Sequence, residues 1–269
     1  SLLPTVVFNG AYWGQCDVIY VSFCLMALYM GLKGRSARSM LLFGMALSFK
    51  LQMVFFLPVL LPLWLRKDIK LRHLPLIPAG YMGMMLPALW GGKSMHHVLT
   101  VYIQQAGNYP FISMNAPNWY QLLPDIGSEL LYNMFSPMAM VLGFACVMAM
   151  CALVCVYRDR LTKESTLLVC LLMLSGIPYF LPKMHERYTF GADVLSLVLA
   201  VYAPRRILLP LCFGFASYVA YTAGLPGDRI MDLRWAAMFQ GVAIALTAAE
   251  LWRSLTRDHE NAALAEVKA

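Results

Sequence analysis

Apolar blocks about as long as a membrane is thick recur along this chain of 269 residues, and they restrict the possible folds more than any other feature. Roughly 20 residues of α-helix span the hydrocarbon core of a bilayer. Only 13% of the residues are charged, whereas about a quarter are charged in a soluble domain. The blocks are rich in Leu, Met and Ala and lack the strict alternation of transmembrane β-strands. The sequence therefore predicts an all-α, polytopic membrane protein.

The positions of the spans follow from the apolar blocks. We predict about nine spans and a partial first one, at residues 1–9 (partial), 17–32, 37–49, 51–65, 74–91, 133–157, 165–182, 188–203, 207–223 and 233–252. Residues 1–269 then form a single transmembrane domain. Because the chain opens like the tail of a helix, we expect it to be the C-terminal portion of a longer protein.

The basic connectors predict which helix ends face the cytoplasm, since Lys and Arg are enriched in cytoplasmic loops. They alternate strictly with the other connectors only if the apolar segment 37–65 is broken at Lys50. The basic connectors are 33–38, 66–73, 157–164, 204–206 and the tail from Arg253. The net charge of +7 therefore reflects topology and does not indicate nucleic-acid binding. With this orientation the polar motifs lie on the non-cytoplasmic side.

The long connector 92–132 is predicted to be an outer loop. The apolar residues at its start recur near helical spacing: Met95, Val98, Leu99, Tyr102 and Ile103. This spacing predicts an amphipathic surface helix. Loops of this length are usually functional.

The stretch LPKMHERYTF, residues 181–190, places four ionisable side chains between two apolar runs. Such groups cost several kcal/mol if they are buried unpaired. Lys183, His185 and Arg187 could all donate to one anion, with a helix starting near Arg187 adding backbone donors. Arg187 is suited to phosphate, and Glu186 would orient His185 or Arg187. The stretch is therefore a candidate phosphate site; the alternative is an ordinary charged interfacial loop.

A second polar group stands at the entrance of the span that begins at residue 17. Trp13, Gln15 and Asp17 are candidates for binding the hydroxyl groups of a sugar or an acceptor. Alternatively, Asp17 caps the helix.

Lys50 is the most costly single residue, since a Lys near the bilayer centre costs about 3 kcal/mol. It either reaches the outer interface or contacts an anionic ligand. Asp193 also lies in an apolar block and could pair with Lys50 or Arg187. His96 and His97 are adjacent and diverge on a helix, and no carboxylate lies at ligand spacing, so we predict no metal site.

Four stretches in this order, over roughly residues 4–193, carry a resemblance to known membrane enzymes: WGQCD, GMALSFKLQMVFFLPVLL, NAPNWYQLLP and PKMHERYTFGAD. The order resembles that of bacterial mannosyltransferase-like proteins related to the GPI mannosyltransferase II family. It is also similar to that of the dolichyl-phosphate-glucose glucosyltransferases. Both groups belong to the GT-C superfamily.

The resemblance implies a GT-C-like glycosyltransferase that uses a polyprenyl-phosphate sugar. Lys183, His185 and Arg187 would lie near the lipid-linked phosphate. Lys50 and Gln52 would line the same cavity. The sugar or acceptor would contact the following residues: Trp13, Gln15, Asp17, Gln52 and Asn118. Glu186 and Asp193 would hold the binding side chains in position without contacting the substrate themselves.

The resemblance also implies a general base, which in these families is an acidic residue in the first outer loop. We expect it upstream of Ser1, and Asp17 is the candidate within the chain. No cofactor is expected, because the lipid-linked sugar is a substrate. The expected partners are membrane lipid, a polyprenyl-phosphate sugar and a glycan, lipid or protein acceptor, without nucleic acid. The location would be the bacterial inner membrane or the endoplasmic reticulum, with the site facing the periplasm, the outside or the lumen.

Two alternatives from other classes stay open at this point. A transporter or flippase of a lipid-linked sugar would use Lys50 and Asp193 along a transport path. Transporters often have two related halves with matching broken helices, and only one broken pair is visible here. A structural membrane subunit would not depend on Arg187.

Overall fold

The computed structural model describes residues 3–105, 111–124, 129–225 and 229–268, and these ranges are mostly helical. The α-helices in them, in chain order, are α1 (Pro4–Val7), α2 (Asp17–Leu32), α3 (Ser36–Phe49), α4 (Leu60–Leu65), α5 (Leu76–Trp90), α6 (Met95–Gln105), α7 (Glu129–Val156), α8 (Lys163–Phe180), α9 (Phe190–Tyr202), α10 (Leu208–Gly224) and α11 (Leu233–Lys268). A π-helical turn at Phe8–Tyr12 and short 3-10 helices complete the helical content. The all-α class is thus confirmed.

The count of nine spans is not supported. The helices in the described ranges that are long and apolar enough to cross a membrane are Glu129–Val156, Lys163–Phe180, Pro204–Gly224 and Leu233–Thr256. The other apolar helices are shorter, and α2, at 16 residues, is about 24 Å long against a hydrocarbon core of about 30 Å. A short apolar run can be a buried helix as well as a span, so the apolar blocks alone do not give the number of spans.

The predicted break at Lys50 is confirmed. The helix α3 ends at Phe49, and Lys50 is extended, with φ −155° and ψ 139°. A 3-10 helix, Leu51–Val59, follows and leads into α4. Lys50 therefore stands at the C-terminal end of α3, where the helix dipole favours a positive charge.

The helix α8 forms the centre of the fold. It packs against the 3-10 helix Leu51–Val59 and against α7, α9 and α11. In its candidate membrane-spanning stretch 67% of the residues are buried within the protein, compared with 17% in that of α7. Because α7 is strongly apolar and leaves side chains such as Val141 and Met148 exposed, its outer face is suited to lipid.

The helices α3 and α5 cross at two glycines. A Cβ atom on Gly44 would collide with the carbonyl oxygen of Ile77, and one on Gly80 would stand 2.5 Å from the carbonyl oxygen of Leu41. Small residues let two backbones approach closely in a membrane protein. This contact holds α3, and so Lys50 at its end, against α5.

The predicted surface helix in the long connector is present as α6. Its Val98 is buried, whereas Leu99 and Ile103 are 57% and 75% exposed. The Tyr102 hydroxyl donates to the carbonyl oxygen of Leu47 at 2.5 Å, and burial raises the pKa of Tyr102 to about 12. The connector therefore contacts α3 close to the break at Lys50.

The second part of the connector pairs with the stretch that contains His185. Strand β1 (Ser113–Met114) runs parallel to β2 (Met184–His185). The register places Ser113 opposite Met184 and Met114 opposite His185. The Tyr120 hydroxyl also donates to the carbonyl oxygen of Phe180, at 2.5 Å. These contacts position the 183–189 segment between α8 and α9.

Candidate functional site

Polar side chains from separate elements meet where α2 and α9 begin and α3 and α10 end. We call this group the polar cluster, and its members are Asn9, Trp13, Asp17, Lys50, Gln52, His185, Glu186, Arg187, Tyr188 and Tyr221. The cluster joins stretches that lie far apart in the chain. It contains most of the site residues that the sequence predicted.

One half of the polar cluster is a buried ion pair. Lys50 Nζ donates to Asp17 Oδ1, and Asn9 Nδ2 donates to Asp17 Oδ2 at 2.8 Å. The Asp17 side chain is 1% exposed and that of Lys50 is 15% exposed. Asp17 lies in the first turn of α2, where no side-chain cap is formed. Its carboxylate therefore neutralises Lys50 and does not cap the helix.

The other half of the polar cluster surrounds Arg187. Arg187 Nη1 donates to Glu186 Oε1 at 3.1 Å, and the guanidinium carbon lies 5.4 Å from the centroid of the Trp13 ring. His185 Nδ1 is 3.6 Å from Glu186 Oε2. A Cβ on Gly224 would stand 3.0 Å from Glu186 and 3.2 Å from Trp13. Gly224 therefore lets α10 pack closely against this pair, and a larger residue there would require Glu186 or Trp13 to shift.

Tyr188 lies between the two halves. Burial raises the pKa of Tyr188, whereas the Arg187 charge and the Gln52 side chain lower it, and Asp17 raises it further. The ring of Tyr188 also makes an edge contact with His185, at 5.2 Å between centroids. Asn9, which donates to Asp17, and Trp13, which lies against Arg187, belong to the same π-helical turn and its C-terminal cap. The two ion pairs therefore share one region of the protein.

Arg187 keeps hydrogen-bonding capacity that the protein does not use. Its Nε is buried and has no hydrogen-bond partner within the described ranges, although the side chain as a whole is 22% exposed. Glu186 accepts from Nη1 instead. A guanidinium can hold a phosphate through two parallel hydrogen bonds. The Arg187 side chain is thus partly exposed, and its unused donor, Nε, lies below the protein surface.

Two predicted site residues, Asp193 and Lys183, make different contacts from those expected. Asp193 does not pair with Lys50 or Arg187, because it accepts from Ser217 Oγ at 2.9 Å, and Ser217 in turn contacts Thr189 at 3.0 Å. Its position on α9, packed against α10, decides this pairing. Lys183 contacts α7, with Nζ 5.3 Å from the centroid of the Tyr132 ring.

The other predicted binding residues, Gln15, Gln52 and Asn118, differ in burial and in hydrogen bonding. Gln15 is half-buried, and its backbone N–H donates to the carbonyl oxygen of Asn9 at 2.9 Å. Gln52 is half-buried beside Tyr188. Asn118 is 1% exposed, and neither atom of its side-chain amide has a hydrogen-bond partner among the residues described. Asn118 stands in the connector, before the 3-10 helix Trp119–Leu122.

The predicted helix start near Arg187 is wrong by about one turn. The helix α9 begins at Phe190, and Arg187 belongs to the turn before it. The Arg187 carbonyl accepts from the N–H of Phe190 at 3.1 Å. The backbone donors at the start of α9 are therefore one turn removed from the Arg187 side chain.

Sequence reasoning missed three members of the polar cluster: Asn9, Tyr188 and Tyr221. Tyr188 directly follows Arg187 in the quoted stretch. Asn9 is a polar residue in an apolar segment, a signal that could have marked it. Tyr221 had no such signal, because its place beside Trp13, at 5.9 Å between ring centroids, depends on how α10 packs.

The charges of the polar cluster balance as two cations and two carboxylates. An anionic ligand would therefore bind through the unused donors of Arg187 or take the place of a carboxylate. In the described part of the chain, no three His, Cys, Asp or Glu side chains are grouped so that they could hold a metal ion. The side chains present can bind and orient a phosphate and the hydroxyl groups of a sugar.

No protein-family model, curated protein or solved structure matches this chain.

Proposed function

We propose that this protein is a GT-C-like glycosyltransferase that moves a hexose from a polyprenyl-phosphate donor to an acceptor hydroxyl. Mannose is the first candidate and glucose the second. The acceptor would be a glycan, a lipid or a protein. The site would face the non-cytoplasmic side of a bacterial inner membrane or of the endoplasmic reticulum, because the basic connectors occupy the other ends of the helices.

The observation that supports the proposal is that two ion pairs, Lys50 with Asp17 and Arg187 with Glu186, belong to one half-buried polar cluster. Ionisable groups in apolar surroundings are costly and usually serve a function. Arg187 in addition has a buried Nε without a hydrogen-bond partner among the described residues. A donor phosphate would supply the acceptor oxygens for this nitrogen.

The chemistry requires charge stabilisation. The acceptor hydroxyl attacks the anomeric carbon from the face opposite the leaving phosphate and gives its proton to a general base. The configuration inverts, and the polyprenyl phosphate leaves with the electron pair of the glycosidic bond. Negative charge grows on the phosphate oxygen as the glycosidic bond breaks. A fixed guanidinium in a water-poor site stabilises this charge. Arg187 is assigned to the phosphate, and Glu186 and the Trp13 ring hold its guanidinium in place.

The other residues have supporting roles in this proposal. Lys50 adds positive charge near Gln52 and Tyr188, and Trp13 and Gln15 border the place where a sugar or acceptor would lie. Because both carboxylate oxygens of Asp17 are engaged by Lys50 and Asn9, we assign Asp17 to holding Lys50 and not to proton transfer. Lys183 lies against the Tyr132 ring of α7.

The test measures donor binding and sugar transfer separately. Purified protein is reconstituted in liposomes and given polyprenyl-phosphate mannose with a labelled sugar, with membranes of the native source as the acceptor pool. We expect Arg187→Lys to weaken donor binding and transfer by about tenfold, since Lys cannot form the bidentate hydrogen bonds that Arg makes with a phosphate. Arg234→Lys is the matched control, because Arg234 is an exposed arginine in the first turn of α11.

The outcomes separate the candidate functions. Donor binding without transferred label, together with movement of the label across the bilayer, would replace the enzyme with a flippase. Donor binding that is equal in wild type and Arg187→Lys would contradict the assignment of Arg187. A protein that neither binds nor transfers the donor would refute the glycosyltransferase.

A further inference from the structure

A second charged site lies at the opposite end of α3. A cavity of about 440 Å³ opens there between the α2–α3 connection and the segment before α5. We call it the basic pocket, and the side chains that characterise it are Arg35, Ser36, Arg38, Lys70 and His73. It is formed by two of the basic connectors of the sequence, 33–38 and 66–73.

The positive charge of the basic pocket is not neutralised within the described residues. No Asp or Glu of the described ranges lines the cavity. Arg35, Arg38 and Lys70 have no carboxylate within 4.0 Å in the described part of the chain, and the adjacent Asp68 is bonded to Arg66 Nε at 2.8 Å. Like charges that are held together repel one another. An anion in the cavity would relieve this repulsion.

Ser36 holds the two walls of the basic pocket together. Its Oγ accepts from the backbone N–H of Lys70 at 2.9 Å and makes a hydrogen bond with His73 Nδ1, also at 2.9 Å. The side chain is buried, although it belongs to the first turn of a helix. The pocket is therefore built by a tertiary contact and is not a chance grouping of surface side chains.

The start of α3 supplies further donors. The residue that precedes this 14-residue helix, Arg35, makes no capping hydrogen bond with its side chain. The N–H groups of the first turn have no partner within a helix, and together with the helix dipole they favour an anion. These donors belong to Ser36, Ala37 and Arg38, which line the cavity.

The basic pocket is separate from the polar cluster. Arg35 precedes the first residue of α3 and Lys50 follows the last. A helix of 14 residues is about 21 Å long, so the two sites stand at opposite ends of one helix. A result at the basic pocket therefore does not depend on the glycosyltransferase proposal.

We propose that the basic pocket binds a phosphate group, either from the headgroup of an anionic membrane phospholipid or from a soluble phosphate ester. Arg35, Arg38 and Lys70 supply the positive charge, and the first turn of α3 supplies backbone donors. The exposed Leu71 and Leu74, 45% and 37% exposed, flank Lys70 and His73. Apolar side chains beside a phosphate site suit a lipid, whose acyl chains would lie against them.

The experiment measures thermal stabilisation of the purified protein in a neutral detergent. Phosphatidylglycerol, phosphatidylcholine and glycerol phosphate are titrated in parallel, because a ligand that binds only the folded state raises the melting temperature. We expect phosphatidylglycerol to stabilise the wild type and phosphatidylcholine to have no comparable effect. If glycerol phosphate stabilises equally well, the source is a soluble ester; if it does not, the source is lipid.

Variants test whether the basic pocket is responsible. The double variant Arg35→Gln with Arg38→Gln should need about tenfold more ligand, since it loses two charged donors. The control is Lys67→Gln with Arg158→Gln, which removes the same charge from exposed positions in basic connectors. It should change the required concentration by less than about twofold.

A third variant distinguishes a loss of ligand binding from a general loss of protein stability. Ala37→Glu introduces a carboxylate at an exposed position that lines the cavity, and a negative charge in the first turn of a helix favours folding. We expect it to leave the ligand-free melting temperature unchanged or raised and to abolish stabilisation by the phosphate ligand. Equal weakening in the control double variant, or full stabilisation of Ala37→Glu, would overturn the proposal.

Discussion

Replacing Lys50 with Met tests whether the ion pair of the polar cluster is a structural element of the fold. The substitution keeps most of the side-chain volume and removes the charge. Asp17, whose side chain is 1% exposed, would keep only its hydrogen bond from Asn9 at 2.8 Å. A buried carboxylate that has lost its cation lowers the free energy of unfolding.

The expected size of the effect follows from burial. Removing one partner of a buried ion pair costs about 3 to 5 kcal/mol. Lys50 is 15% exposed, so water already screens the pair in part, and we expect about 3 kcal/mol. Asp17→Asn should cost less, about 1 to 2 kcal/mol, because Lys50 can turn toward water and the introduced amide can still bond Asn9. The two substitutions together should cost about 2 kcal/mol less than their sum.

The measurement is the free energy of unfolding of the reconstituted protein in mixed micelles with increasing fractions of a denaturing detergent. Wild type, both single variants and the double variant complete the cycle. Lys33→Met, at an exposed Lys that lies over the Tyr29 ring, is the matched control and should cost less than about 1 kcal/mol. Additive costs of the two single substitutions would refute a direct pairing of Lys50 with Asp17.

Two further predictions concern the packing that supports the polar cluster. Gly44→Ala should destabilise the protein by about 1 to 3 kcal/mol, because the added Cβ would collide with Ile77. The control Gly83→Ala, on the open side of α5, should be neutral. Equal unfolding free energies of the two variants would contradict the close contact of α3 and α5. Burial raises the pKa of Tyr102 to about 12, so its contribution to stability is complete below about pH 10 and is lost as the pH rises toward 12. Tyr102→Phe should therefore lose less stability than wild type over that interval in a pH series of unfolding titrations, and parallel losses would count against the burial of Tyr102.

The positions of the helices could be predicted because hydrophobicity and chain breaks act locally. The break at Lys50 followed from the alternation of basic connectors, and the structure places the end of α3 at Phe49. The surface helix α6 followed from apolar residues at helical spacing. The number of spans could not be predicted in the same way, because an apolar run of 14 residues such as α3 packs equally well inside a protein or across part of a bilayer.

The pairing of charges was predicted less well than their presence. Lys50, Asp17, Arg187 and Asp193 all stood out as ionisable groups in or beside apolar segments. The partner of Lys50 proved to be Asp17, while Asp193 bonds Ser217. Whether a residue pairs with one 33 positions away depends on which side of each helix faces the other. Neighbouring residues of a helix point in directions about 100° apart, so a small rotation changes the partner.

The helical class, the apolar character and the ionisable residues inside apolar segments could all be predicted from the sequence, because each property depends on residues close together in the chain. Three features depend on the tertiary structure instead: which charges pair, the contact of Trp13 with Arg187, and the open cavity that two basic connectors line at the start of α3. Those contacts depend on how α2, α3, α9 and α10 cross. Crossing is set by close packing over many side chains at once, which no local stretch of sequence specifies.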